Sequence, residues 1–187
     1  NGGSVVNAKG SVGDGANNNN ALVSGTGSVW SNQSVLFVGE FGSGNSLIIN
    51  NGGKVVDPTG AIGCGGDNNT ALVSGPGSVW SNQSEVLVGY GGGNGNSLTI
   101  NNGACLVAKD SLTFGYNGGD GNSLVISNGG TVVSTTAYIG NIVANGNSVL
   151  VTGSGSVWSN RSSVVVGNAG GLWANGNSLS VNDGGTV

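Results

Sequence analysis

Eight carboxylates lie along this chain of 187 residues: Asp14, Glu40, Asp57, Asp67, Glu85, Asp110, Asp120 and Asp183. Histidine is absent, which removes Ser–His or Cys–His nucleophile activation and the common zinc centres. Cleavage of glycans by paired carboxylates needs two of them held about 5–10 Å apart. Only Asp14 and Glu40 fall at equivalent points of neighbouring sequence periods, each directly after a recurring glycine. The next periods place Cys64, Tyr90 and Tyr116 there, so no catalytic pair is expected and the chain reads as a non-enzyme. The stretches "GGNGNSLTI" (92–100) and "GGDGNSLVI" (118–126) are similar to the calcium-binding nonapeptide repeat. The liganding aspartate of that motif is replaced here by Asn96 and Asn122, so neither a calcium site nor any cofactor is expected.

The four basic residues, Lys9, Lys54, Lys109 and Arg161, are scattered singly and the net charge is −4. Nucleic acid and anionic membrane surfaces require a dense basic footprint, so both partner classes are excluded. No apolar run approaches the roughly 18–20 residues of a membrane helix. The two cysteines, Cys64 and Cys105, fall at different points of the repeat and are expected to stay unpaired. Asn32, Asn68, Asn82 and Asn160 open N-x-S/T sequons, three of them within the repeat motif itself.

Aromatic residues are the remaining candidates for recognition. Three of the four tryptophans occupy one hexapeptide, "GSVWSN", at 27–32, 77–82 and 155–160. Each indole could pack against the longer corner that follows it, since nine positions separate Trp30, Trp80 and Trp158 from the next landmark glycine, against seven or eight elsewhere. Alternatively, the column Val6, Trp30, Val56, Trp80, Val107, Val133 and Trp158 faces outward as an apolar ridge. Trp30, Trp80 and Trp158 would then form a lateral interface or sugar-stacking platform, with Trp30 and Trp80 two rungs, roughly 10 Å, apart. Trp173 lies off this pattern, in the longest insertion, "GNAGGLWANGN" (167–177), which is the best single place for adhesive binding.

These residues are set in a repeat. Asparagine followed by a short apolar segment recurs at Asn19, Asn45, Asn69, Asn96, Asn122, Asn147 and Asn177, at spacings of 26, 24, 27, 26, 25 and 30. An apolar residue followed by glycine recurs once per period, at Gly13, Gly39, Gly63, Gly89, Gly115, Gly140 and Gly167. Each period holds three apolar segments, too short for helices and alternating at period two. Leu47 and Ile49 are expected inside with Ile48 outside. With 40 glycines against two prolines, the composition is that of many short strands and tight turns.

The fold expected is all-β: a parallel β-solenoid with three short strands per coil, about 25 residues per coil and roughly seven coils, continuous over 1–187. A coil of this length exceeds the hexapeptide left-handed type, which favours right-handed winding. The asparagines are expected to bond to one another up the stack. The glycines are expected at turns that need positive φ.

The runs "VTGSGSVWSN…VVVGNAGG…NGNSLSVNDGGTV" and "SVWSNQSVLFVGEFGSGNSLIINNGGKV" resemble the repeat shared by bacterial type V (autotransporter) passenger proteins and PEP-CTERM-sorted surface proteins. The resemblance covers nearly the whole chain. It implies a right-handed β-helix at the outer cell surface or in the extracellular matrix, and it brings no catalytic residues with it. The expected function is a structural extracellular or cell-surface fibre or stalk. The alternative is a surface adhesin that binds a glycan or host surface. The opening "NGGSVV" and closing "NDGGTV" read as the same part of a coil without a polar cap. The expected partner is therefore the protein itself, stacked head-to-tail, or further coils of a longer solenoid.

Overall fold

Apolar runs of four to six residues, broken by Gly, Asn and Ser, cannot bury a face as isolated strands. They do so by winding, so that every strand pairs with its counterpart one turn on. In the computed structural model, which describes residues 2–168, 170 and 173–187, this winding produces a parallel β-solenoid of seven coils.

The first coil is β1 (Ser4–Asn7), β2 (Gly10–Asp14) and β3 (Asn20–Ser24); the second is β4 (Val29–Asn32), β5 (Val35–Glu40) and β6 (Ser46–Asn50). The third comprises β7 (Lys54–Asp57), β8 (Thr59–Cys64) and β9 (Thr70–Ser74). The fourth comprises β10 (Val79–Asn82), β11 (Val86–Tyr90) and β12 (Ser97–Asn101). In the last three coils the first two strands run into one another. These coils are β13 (Cys105–Tyr116) with β14 (Ser123–Ser127), β15 (Thr131–Asn141) with β16 (Ser148–Thr152), and β17 (Val157–Asn168) with β18 (Ser178–Asn182). The corner survives there as a register shift, between Ala108 and Ser111 and between Ser134 and Thr136.

Three faces result. The first stacks β1, β4, β7, β10 and the opening halves of β13, β15 and β17. The second stacks β2, β5, β8, β11 and the closing halves of the same three strands. The third is a seven-stranded sheet in the order β18-β16-β14-β12-β9-β6-β3. Every strand pairing is parallel, as in Leu47↔Ala71, Ala71↔Leu98 and Leu98↔Leu124.

The interior is one column of apolar side chains drawn from all three faces. Leu47, Ile49, Leu98, Ile100, Leu124 and Ile126 come from the third, Leu36, Val38, Ile62 and Phe114 from the second, and Val55, Leu106 and Val132 from the first. The alternation expected for Leu47, Ile48 and Ile49 is present, buried, half-buried, buried. A coil's inner face is covered by its neighbours. Val55, with a coil on each side, is fully buried, whereas Val5 in the same column of the first coil is 56% exposed.

Candidate functional site

The tryptophan column faces inward. Pairing runs Val5↔Trp30, Trp30↔Val55, Val55↔Trp80, Trp80↔Leu106, Leu106↔Val132 and Val132↔Trp158. The column of Val6, Val56, Val107 and Val133 is therefore a different one, and it carries Ser31 and Ser81. The apolar ridge is corrected by this one-residue difference, because a slip of one residue moves a side chain to the opposite face of its strand. Trp80 and Trp158 are fully buried and Trp30 is half-buried against the core. Trp80 and Trp158 therefore offer no surface to an interface or a sugar, and the three indoles form no common outward platform.

Each indole N–H donates to the coil below: Trp30 Nε1 to Asn7 Oδ1 at 2.8 Å, Trp80 Nε1 to Asp57 Oδ2 at 3.0 Å and Trp158 Nε1 to Ser134 Oγ at 2.9 Å. The coil below also makes room. The second-face column runs Gly10, Leu36, Gly60, Val86, Leu112, Ala137 and Val164. Its small residues Gly10, Gly60 and Ala137 belong to the three coils under a tryptophan. A Cβ at Gly10 would lie 2.9 Å from Trp30 Cζ2, and one at Gly60 2.7 Å from Trp80 Cζ2. The rest of the hexapeptide is equally architectural. Ser78 Oγ accepts the Gly52 N–H at 3.0 Å and Ser156 Oγ the Gly129 N–H at 3.1 Å, each pinning the turn of the coil below.

The seven asparagines Asn19, Asn45, Asn69, Asn96, Asn122, Asn147 and Asn177 form one ladder. Each Oδ1 from Asn45 onward accepts two bonds from the asparagine below it, one from the backbone N–H at 2.8–2.9 Å and one from Nδ2 at 3.0–3.1 Å. The landmark glycines from Gly13 to Gly140 pack against this ladder. Gly13, Gly39, Gly63, Gly89, Gly115, Gly140 and Gly167 all have positive φ, between 69° and 81°. At Gly89 an added Cβ would lie 2.1 Å from Asn122 Nδ2. Glycine is thus required there twice, by backbone conformation and by space.

A second ladder lies two residues upstream and gave no repeated letter in the sequence. Asn17 Oδ1 accepts from Ser43 N, Ser43 Oγ from Asp67 N, Asp67 Oδ1 from Asn94 N, Asn94 Oδ1 from Asp120 N, Asp120 Oδ1 from Asn145 N, and Asn145 Oδ1 from Asn175 N. Here the acceptor side chain sits in the lower coil and the backbone donor in the upper one. The asparagine ladder runs the opposite way. The signal that could have revealed it is a small acceptor, Asn, Ser or Asp, two positions before every ladder asparagine.

The groups with chemical capacity are dispersed. Asp14 and Glu40 stack in one column. Lys9 Nζ is 2.5 Å from Glu40 Oε2 and 4.9 Å from the centre of the Phe37 ring. That hydrogen bond to Glu40 raises the Lys9 pKa. Glu40 is thus engaged as an ion-pair partner. Cys64 and Cys105 are unpaired and half-buried, and burial pushes both thiols up, away from the reactive thiolate. Asp57 is fully buried and its carboxyl is pushed up to about 7 by burial, partly opposed by the Trp80 hydrogen bond. Among the described residues no three Cys, Asp or Glu side chains are grouped to hold a metal ion. Of the sequons, Asn32 and Asn82 are interior and Asn68 is exposed.

Trp173 is 78% exposed. Three residues of its insertion, Ala169, Gly171 and Leu172, lie outside the described residues.

Comparison with family models, curated proteins and solved structures finds no match for this chain.

Proposed function

We propose that the chain is a structural segment of an extracellular or cell-surface fibre or stalk, assembled by stacking of solenoid coils. The observation that carries this reading is the asparagine ladder, six successive double hydrogen bonds with no interrupted rung. The buried tryptophans spend their polar atoms inside the stack in the same way. A molecule whose special residues are committed to joining one coil to the next is suited to stiffness and length. Parallel stacking, in which each inner strand is paired on both sides, also resists proteases, because few backbone groups there are free to enter a cleavage site. The resemblance of the repeat to autotransporter passengers and PEP-CTERM-sorted proteins supports an outer-surface location. The partners proposed are further coils, of the same chain or of other copies.

Electron microscopy of native material tests this directly. Unbranched filaments one solenoid wide, with an axial repeat near 4.8 Å, are the expected result. Discrete particles that never elongate, and that are cleaved within the coils by low protease, would remove the fibre reading.

A further inference from the structure

The chain contains three tyrosines, and all three line one groove. Tyr90 on β11, Tyr116 on β13 and Tyr138 on β15 enclose, with Glu85, Ser111, Thr113 and Asn141, a cavity of about 320 Å³ on the outer side of the second face. The Tyr90 and Tyr116 rings stack 5.3 Å apart with 5° between their planes, forming one wall. Tyr138 lies in the neighbouring column, in register with Thr113. Thr113 is only 4% exposed although it belongs to the outward-pointing set of its strand, so the groove has a covered floor.

These tyrosines depart from the repeat. Their own column holds Asp14 and Glu40 in the first two coils and Cys64 in the third. The Tyr138 column elsewhere holds Ser11, Phe37, Ala61, Leu87, Thr113 and Val165. The buried tryptophans recur with their coil type; these tyrosines are instead confined to three adjacent coils, and each keeps part of its ring at the surface. We infer that the Tyr90–Tyr116–Tyr138 groove is a binding site for a neutral oligosaccharide.

The chemistry of the lining selects that class. Phenol rings offer apolar surface with a polar tip, which matches the CH-rich faces and hydroxyl edges of a pyranose. Glu85 is acceptor-only, Asn141 both donates and accepts, and the hydroxyls of Ser111 and Thr113 do either. Among the described residues the Glu85 carboxylate has one internal hydrogen bond, from Ser111 Oγ, long at 3.5 Å, which leaves its oxygens available to hydroxyl donors. No lysine or arginine lines the groove, so an anionic ligand would meet only the Glu85 charge. The inference is independent of the fibre reading, because the groove lies on the flank and leaves stacking untouched.

The test is titration of the purified chain with cellopentaose, penta-N-acetylchitopentaose and mannopentaose, each to about 10 mM, enough to detect dissociation constants in the millimolar range, read on the tyrosine ring resonances. At least one probe is expected to shift Tyr138 and Tyr116 saturably. Tyr138→Ala, with an unchanged melting curve, is expected to weaken that binding about tenfold or more, as removal of an aromatic anchor does. Glu85→Gln, at a half-exposed position that carries no core packing, is the second variant and is expected to weaken it too. Trp173→Ala is expected to change nothing. The inference is overturned if no probe perturbs the tyrosines, if Glu85→Gln and folded Tyr138→Ala bind like the parent, or if Trp173→Ala alone abolishes binding.

Discussion

The indole N–H of Trp80 donates to Asp57 one coil below, at 3.0 Å, and neither side chain touches solvent. In the other two tryptophan coils the same place is filled by neutral acceptors, Asn7 and Ser134. Only Asp57 brings an ionisable group inside. Its second oxygen, Oδ1, has no partner, and neither does Oδ1 of Asn82, its register neighbour. Protonation removes the charge that a buried carboxylate with one unpartnered oxygen would otherwise hold.

Stability should therefore fall as pH rises through neutrality. The folded carboxyl sits at about 7 against an ordinary value of 3.8. A raised pKa contributes stability that is complete below pH 4 and is lost as pH rises through 7. Each tenfold in proton affinity is worth about 1.4 kcal/mol, so the loss is a few kcal/mol. Thermal melts are expected to show a higher midpoint at pH 4.5 than at pH 8. Asp57→Asn, which copies the Asn7 arrangement, should remove the Asp57 part of that difference and stabilise the protein at pH 8.

The fit between tryptophan and the coil beneath it predicts a coupled pair. Trp80→Ala should cost about 3–5 kcal/mol, the usual range for emptying a buried aromatic site. Gly60→Leu should also destabilise strongly, since its side chain would enter the space of the indole. The double variant Gly60→Leu/Trp80→Ala should be more stable than the sum of the single losses predicts. Urea unfolding of the four proteins gives the coupling energy, and strict additivity would show that the two sites do not share one volume.

Asn96→Ala should be far more damaging than Asn94→Ala, although the residues are two apart. Asn96 Oδ1 is buried and holds both the backbone N–H and the amide of Asn69. Removing it strands two buried donors, at a cost on the order of 3 kcal/mol. Asn94 is exposed, and water can replace it at the Asp120 N–H, so about 1 kcal/mol or less is expected. Hydrogen exchange at Asn69 and Asp120 would report each rung separately.

Val143→Gly should stabilise the protein. Ile142 and Val143 occupy left-handed backbone, with φ of 53° and 58°, where the two preceding coils use Gly91–Gly92 and Asn117–Gly118. Left-handed backbone at a β-branched residue costs about 1–3 kcal/mol. Val143 is 38% exposed, so little packing is lost with it. A rise of several degrees in the melting midpoint is expected; a fall would mean that the valine makes contacts that outweigh its strain.

The all-β solenoid was legible because its landmarks repeat by letter. Asn45 and Asn69, or Gly39 and Gly63, announce their columns wherever the spacing drifts from 24 to 30 residues. The side chosen by Trp80 was not legible, because matching valine with valine sets Val79 against Val55, whereas the backbone pairs Val79 with Lys54 and Trp80 with Val55. The turn before a tryptophan strand differs from the turn before Lys54, and that difference shifts the count by one. The compensating signal, Gly60 and Asp57 one period earlier, is readable only once the indole is known to point inward. The outer ladder is not legible by letter, because Asp67, Asn94 and Ser43 share a function, hydrogen-bond acceptance, without sharing a residue type. The tyrosine groove needed both lateral register and stacking. Tyr90 and Tyr116 share a column visible in the sequence, but Tyr138 joins them only from the adjacent one.

The two polar ladders tie each coil to the next at two neighbouring points of opposite polarity. Within each pair of coils, one strut is anchored by a side chain above and the other by a side chain below, two residues away. Sliding one coil over its neighbour has to break both struts together, so resistance to shear is built into every storey of the rod.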